Sequence, residues 1–393
     1  MSSLMDTYKR YPVRFVRGEG LNVFDTNGRS YLDFAAGIAA IPIGHSHPRW
    51  VAAVKDQLDR LVHVSNLYET EAQERLADRL VGIAGFGKVF LSNSGAEANE
   101  ALLKIVRRHG RPRGKTKVVC LEGSFHGRTI ATLAATGQPE KQAPFQPMPP
   151  GFVHVPPNDV QALDRAVDLG TAAVLVEPIL GEGGVIPIEQ TFLDAARGLC
   201  DERSALLCID EVQTGIGRTG DWFAFQGSDV RPDAITSAKA LAGGLPIGAA
   251  IARPEISFAP GEHASTFGGG PVPCVAALTV LDVIEDEELL ENARVQGDRL
   301  AAGLAQAVEE AGLESEPRGR GLLLGVPVGR HPGPKAVVLG LLSRGFLATE
   351  AGPEVVRCTP PLTVDDAAVD AFVDAFGETL KEVLAQPVRE AAR

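Results

Sequence analysis

Between Lys88 and Ile251, short apolar runs rich in β-branched residues recur as KVFLS, KVVCL, TAAVLVEP, SALLCID and DAITS, each followed by a stretch of helical character. The runs are continuously apolar rather than alternating. That pattern predicts strands buried on both faces, as in a mainly parallel sheet covered by helices. From Glu287 to Gly312 the period changes, and Leu290, Ala293, Leu300, Leu304 and Val308 share one face among many charges. This predicts an amphipathic helix that carries the chain out of the core. Beyond it, GLLLGVPV, GFLATEAG and VVRCTPPL read as strands and Asp366 to Gln386 as a closing amphipathic helix, which together make a smaller α+β lobe.

Near the N-terminus, FVRGEGLNVFDTNGRSYLDF alternates like a meander, and its Asn-Gly pair predicts a type I′ hairpin turn. This segment is expected to join the C-terminal lobe. The proline-rich stretch from Gln138 to Pro157 reads as a loop, with strand signals resuming directly after it. The expected organisation of the α/β chain is 1–44 as a segment joining the small domain, 45–280 as the large domain and 281–393 as the C-terminal small domain. Neither an internal repeat nor a low-complexity tract interrupts it.

The length of 393 residues and 45% hydrophobic content are enough for a large core and more than one lobe. A formal net charge of −12 and a pI near 5.2 remove the electrostatic basis for holding nucleic acid or an anionic membrane surface. Small-molecule chemistry becomes the default. Cys120, Cys200, Cys208, Cys274 and Cys358 form no CxxC pair and read as reduced packing residues. Met1 to Arg10 has no apolar signal core and no apolar run is long enough to span a bilayer, so the expected location is the cytoplasm.

Candidate chemistry then narrows the picture. VFLSNSGAEANEALLKIVRR runs strand, small-residue turn, helix, leaving backbone N–H groups around Ser94, Gly95 and Ala96 to meet an anion such as a phosphate. A capped turn without ligand is the alternative. SALLCIDEVQTGIGRTG puts Asp210 where an apolar strand ends, the edge at which parallel sheets hold ligands. Beneath a pyridine ring, a carboxylate there would keep the ring nitrogen protonated; otherwise it is a helix cap or a buried ion pair. Lys239, in DAITSAKALAGGLPIGA, is flanked by small and apolar residues, and desolvation favours the neutral amine needed to attack an aldehyde. The competing reading is a lysine whose head snorkels to solvent.

Two weaker segments are GSFHGRT, with Phe125, His126 and Arg128, and EPILGEGG, with Glu177 and Glu182. Phe125 or His126 could cover a flat ring, or simply pack in the core. His45 and His47 in GHSHP imitate a metal pair, but carboxylate or cysteine ligands are missing nearby, and no metal is expected.

Taken together, SNSGAEANE, SFHGRT, EPILGEGG, IDEVQTGIGRTG, TSAKALAGGLPIG, STFGGG and VVRCTPPL resemble the class III aminotransferases, most closely their acetylornithine branch, over nearly the whole chain. The resemblance implies the type I fold of pyridoxal-phosphate-dependent transferases and a homodimer with shared active sites. It implies that Lys239 carries pyridoxal 5′-phosphate covalently and shuttles a proton between substrate and cofactor carbons. It further implies that Asp210 pairs with the pyridine nitrogen, Gln213 sits by the phenolic oxygen, and Phe125 stacks on the ring with His126 beside it. Ser94, Gly95 and Ala96 would hold the phosphate, and Thr266 would reach the phosphate of the neighbouring subunit's cofactor.

Two substrates of different length share such a pocket, and the similar enzymes use two arginines and a movable acid, here Arg128, Arg357 and Glu182. Arg128 would bind the distant carboxylate of an acylated diamine while Glu182 neutralises Arg357; glutamate would then draw Arg357 away, with Arg128 on its γ-carboxylate. Without the resemblance, Arg357 is a structural ion pair and Arg128 a solvated loop residue. Asn66, Tyr68 and Tyr8 also match the acetylornithine branch, Tyr8 as a pocket residue. Ile38 stands where ornithine aminotransferases typically carry tyrosine, and its apolar side chain suits an acylated α-nitrogen. One departure is Gly270 before Pro271, where the similar enzymes usually read Gly-Gly-Asn-Pro.

The expected reaction is transamination of N2-acetyl-L-ornithine with 2-oxoglutarate, giving glutamate, in arginine biosynthesis. The competing enzyme readings are a carrier-protein-linked aminoadipate semialdehyde aminotransferase of lysine biosynthesis and a 4-aminobutyrate or ornithine aminotransferase. A cofactor-binding protein without turnover would have lost one of Lys239, Asp210 or Arg357. A nicotinamide-dependent oxidoreductase would need a GxGxxG turn opening the first βα unit, and that turn is missing.

Overall fold

The computed structural model describes residues 3–331 and 333–385. The N-terminal meander comprises β1 (Phe15–Glu19), β2 (Asn22–Asp25) and β3 (Ser30–Asp33), paired antiparallel in sequence. Its turn departs from type I′, because Gly28 has φ of 80° while Asn27 is not among the residues with positive φ. The cause is Asp25. Its carboxylate accepts the Asn27 N–H at 2.8 Å and the Arg29 N–H at 3.0 Å, and its carbonyl accepts the Gly28 N–H at 3.0 Å. A three-residue loop ending in a left-handed glycine results.

The large sheet contains β4 (Lys88–Ser92), β5 (Lys117–Leu121), β6 (Phe152–Val155), β7 (Thr171–Val176), β8 (Leu206–Asp210), β9 (Ala234–Ser237) and β10 (Gly248–Ala252), in the order β4-β10-β9-β8-β7-β5-β6. Only β10 runs antiparallel to its neighbours. Every residue of β7, β8, β9 and β10 is buried, which is why their sequences read as unbroken apolar runs. The edge strand β6 is only half covered, and it lies inside the proline-rich stretch that the sequence suggested was loop throughout. Pro150 and Pro156 flank the strand, and prolines are tolerated at the ends of an edge strand. A short helix, Pro139–Gln142, precedes it in the same stretch.

Two helices lead away from this sheet rather than one. Leu289–Glu310 is the expected amphipathic helix, but Pro271–Asp286 precedes it and is buried on nearly every side. All-round apolarity gave that first helix no stripe to detect. The small lobe has the sheet order β11 (Arg318–Arg320), β12 (Leu323–Pro327), β15 (Val355–Cys358), β14 (Thr349–Ala351), closed by helix Asp366–Leu384. The closing helix's expected last residue, Gln386, lies outside the described residues. β13 (Phe346–Leu347) pairs in parallel with β3, so the N-terminal meander shares a sheet with the C-terminal part of the chain. All five cysteines are free and buried.

Candidate active site

Parallel β7, β8 and β9 end at one edge, and the segments leaving that edge converge on a cavity of about 410 Å³. Asp210, the last residue of β8, forms its floor and is 2% exposed. Its Oδ1 accepts from the Val212 N–H at 3.0 Å and Thr236 Oγ1 at 3.2 Å; its Oδ2 accepts from Asn99 Nδ2 and His126 Nδ1, each at 2.7 Å. A buried carboxylate held by that many donors is fixed in place. Burial alone would depress the His126 pKa, but the hydrogen bond and charge of Asp210, with Glu177 nearby, outweigh it and raise the pKa.

Helix Gly95–Gly110 starts at the same edge, with Ser94 as its N-cap accepting the Glu97 N–H at 3.2 Å. The N–H groups of Gly95 and Ala96 find no acceptor among the described residues, and both residues line the cavity. Small size is required here. A β-carbon on Gly95 would come within 2.7 Å of Val212 Cγ1, so a larger residue would push the helix start away from the floor.

Lys239 follows β9 and lines the cavity, with no hydrogen bond to its amine among the described residues. Burial lowers its pKa to about 8, against the pull of Glu182 and with the help of Arg357. Glu177 is pushed the other way, to about 7, again by burial. Its Oε1 accepts the Phe125 N–H at 2.7 Å and so orients the segment carrying Phe125 and His126.

At the cavity's side, Arg357 from β15 is 1% exposed. Its Nη1 donates to Glu182 Oε1 at 2.5 Å and to Gly181 O and Gln213 Oε1 at 3.1 Å, while Nε donates to Thr349 Oγ1 at 3.1 Å. Burial would raise the Glu182 pKa, but the charges of Arg357 and Lys239 win and hold it below the usual range. Arg128 lines the mouth and forms no ion pair among the described residues. Its guanidinium carbon lies 5.6 Å from the centroid of the Phe125 ring.

Ser94, Gly95, Ala96, Phe125, His126, Arg128, Glu182, Asp210, Gln213 and Lys239 therefore line one cavity, and Arg357 joins it through Glu182 and Gln213. Thr266, Ile38 and Tyr8 do not line it. Thr266 is exposed on a loop that Asn66 Nδ2 pins through Ser265 O at 2.8 Å and Gly268 O at 3.0 Å. Ile38 is 42% exposed and Tyr8 74% exposed; Ala40, two residues beyond Ile38, does reach the lining. Gly270 caps helix Pro271–Asp286 with ordinary φ of −58°, so an asparagine is not required for this turn. His45 and His47 face Asp33 at 2.8 Å and Glu287 at 3.2 Å.

Sequence reasoning missed Asn99 and Thr236. Asn99 Nδ2 bridges Asp210 and the His126 carbonyl, and its Oδ1 accepts Thr236 Oγ1 at 2.9 Å. The signal was present: an asparagine one turn into a helix whose other inward residues are apolar is a polar group placed for a partner.

The description "Aminotransferase class-III" belongs to the family whose pattern matches residues 5–380. The chain is 49% identical to the acetylornithine aminotransferase of Gloeobacter violaceus over 93% of each chain. Among solved structures, it is similar to the ornithine aminotransferase of Toxoplasma gondii, described with partial occupancy of pyridoxal phosphate at its active site, with TM-score 0.92, 34% identity and 97% and 92% of the two chains covered. It is also similar to N-acetylornithine aminotransferase from Stenotrophomonas maltophilia, with TM-score 0.84, 36% identity and coverage of 96% and 98%.

Proposed function

This chain belongs to the class III aminotransferases, and on that premise we propose that it moves the terminal amino group of N2-acetyl-L-ornithine to 2-oxoglutarate, in arginine biosynthesis. The family's cofactor is pyridoxal 5′-phosphate, and the cavity suits it on three counts. Two unused N–H groups at a helix start suit a phosphate, a buried carboxylate suits the pyridinium nitrogen, and a desolvated amine suits the aldehyde. When bound, the cofactor supplies an electron-poor ring that accepts the electrons released as the substrate carbon loses its proton.

The protein's own residues do the rest. Lys239 Nζ would hold the cofactor's aldehyde until the substrate amine displaces it, and the freed amine would then be the base that takes up the substrate-carbon proton and gives it back. His126 and Asn99 hold Asp210, which would keep the proton on the cofactor's ring nitrogen. Gln213 and Phe125, both in the cavity lining, would meet its phenolic oxygen and its ring face.

The observation that carries the substrate reading is the Arg357–Glu182 pair at 2.5 Å beside an unpaired Arg128. With Arg357 neutralised, the region near the reacting carbon accepts the methylenes of a terminal amine, while Arg128 takes the distant carboxylate. When glutamate arrives, its α-carboxylate replaces Glu182 on Arg357 and its γ-carboxylate occupies Arg128.

We further propose that 45–280 forms the cofactor-binding lobe and that 1–44 packs with 281–393. Two copies make the working unit, with Thr266 of each reaching the phosphate in the other. Exposed Leu67, Tyr68 and Phe267, at 88%, 69% and 64%, support an interface between copies. Among the described residues, no helix is long and apolar enough to cross a membrane, and a cytoplasmic location is the proposed setting. The test is kcat/KM with 2-oxoglutarate for N2-acetyl-L-ornithine, L-ornithine and 4-aminobutyrate. The acylated donor should lead by at least tenfold; equal or better use of ornithine would overturn the substrate assignment.

A further inference from the structure

Arg128 is not the only unpaired cation beside the Phe125 ring. Lys141, on the short helix Pro139–Gln142, has its ammonium 5.4 Å from the centroid of the same Phe125 ring. It has no carboxylate within ion-pair distance among the described residues. On a chain with net charge −12, two unpaired cations against one aromatic ring are an exception that costs electrostatic energy until an anion arrives.

Nor is Lys141 a loose surface lysine. It is half-buried, and its ammonium donates to Gln138 Oε1. Gln138 is itself tied down, with Nε2 donating to Ser124 O at 3.0 Å and Gly123 O at 3.3 Å, directly before Phe125. The helix is held by Gln142 Nε2, which donates to Thr136 O at 2.7 Å and Leu133 O at 3.2 Å. Burial lowers the Lys141 pKa; Glu182 opposes that, and Arg128 and Arg357 add to it. Apart from its chain neighbour Glu140, the charges acting on this amine are those assigned to substrate binding, although Lys141 does not line the cavity wall itself.

We infer that Lys141 is a specificity-determining residue that works with Arg128 to hold the substrate carboxylate remote from the reacting carbon. This rests on the substrate reading proposed above. Arg128 offers a planar fork to that carboxylate, and Lys141 adds a point charge that needs no fixed orientation. The pair selects amines and oxo acids with a carboxylate at the far end, a feature shared by N2-acetyl-L-ornithine, glutamate and 2-oxoglutarate. The Phe125 ring attracts both cations, at 5.6 Å from the Arg128 guanidinium carbon and 5.4 Å from the Lys141 ammonium.

The experiment compares wild-type holoenzyme with Lys141→Met and Lys141→Arg, after confirming that all three show the same visible cofactor band. Single-turnover loss of that band is followed against the concentration of glutamate and, separately, of N2-acetyl-L-ornithine. In Lys141→Met the half-saturating concentration of both should rise about five- to tenfold while the limiting rate stays within twofold, and Lys141→Arg should restore most of the affinity. Unchanged half-saturation in Lys141→Met, a fall confined to the limiting rate, or failure of arginine to rescue would each overturn the inference. Wild-type reaction with glutamate but not with N2-acetyl-L-ornithine would instead sink the substrate reading and leave Lys141 to be judged on glutamate alone.

Discussion

Glu182→Gln isolates the element that lets one pocket take two substrates. The substitution keeps the shape but removes the negative charge 2.5 Å from Arg357 Nη1. Arg357 should stay in position, because Gly181 O, Gln213 Oε1 and Thr349 Oγ1 continue to accept from it. A hydrogen bond between charged groups contributes about 1.5–3 kcal/mol, and because Glu182 is 24% exposed the lower end of that range applies. Glutamate must break this bond to place its α-carboxylate on Arg357, so the variant should react with glutamate about tenfold more readily. N2-acetyl-L-ornithine has no carboxylate at that end and would leave Arg357 unneutralised, so its reaction should fall by a similar factor. The assay is the second-order rate constant for single-turnover loss of the visible band with each donor. The ratio of the glutamate to the acetylornithine constant should rise by roughly tenfold to a hundredfold. A change within twofold, or a shift toward acetylornithine, would refute the switching arrangement.

Three further outcomes follow from the buried polar groups. Glu211 is fully buried and its pKa is raised to about 7 by that burial, which the Thr214 hydroxyl and the Phe225 N–H only partly offset. Its neutral form is the stable one, so its contribution is complete below about pH 4.5 and is lost as pH rises through about 7. Thermal unfolding at pH 5 and pH 8 should show the wild type losing up to ~3 kcal/mol across that interval relative to Glu211→Gln, and equal pH dependence would contradict it. Lys239 is a neutral nucleophile above its pKa of about 8. The rate of cofactor capture by the apoenzyme should therefore rise through pH 8 and level off near pH 9, whereas a rise that continues past pH 10 would indicate an ordinary lysine. Asn99→Leu leaves the Asp210 carboxylate and the His126 carbonyl each short of one donor. It should cost about 1–3 kcal/mol in denaturant unfolding and weaken cofactor retention on dialysis, and wild-type values for both would remove Asn99 from the supporting network.

Parts of this structure were legible in the sequence because their physics is local. The central strands announce themselves as unbroken apolar runs because both faces are covered, and Asp210 is visible as an acid at the end of one of them. The Ser94–Ala96 turn reads as an anion cradle because small residues precede a capped helix. What stayed hidden depends on partners distant in sequence or on all-round burial. Helix Pro271–Asp286 has no polar face to give a period, and β6 is hidden among prolines because only its pairing with β5 makes it a strand. The Asn-Gly turn was misread because Asp25 contributes side-chain hydrogen bonds that outweigh the dipeptide's preference. Lys141 and Phe125 meet only because Gln138 and Gln142 fold their short helix back against the segment after β5. Arg357 and Glu182 are 175 positions apart, and only the closing of β15 against the cavity makes them a pair.

The central claim is that Lys239 carries the cofactor in a site built for an acylated terminal amine and for glutamate. The most direct test is the visible absorption spectrum of the protein loaded with pyridoxal phosphate, recorded while N2-acetyl-L-ornithine, L-ornithine, 4-aminobutyrate and L-glutamate are added in separate runs, with Lys239→Ala alongside. The account predicts a lysine-dependent visible band that N2-acetyl-L-ornithine and glutamate bleach rapidly and the other two poorly. A band unchanged by Lys239→Ala, or no band at all after incubation with the cofactor, would contradict it.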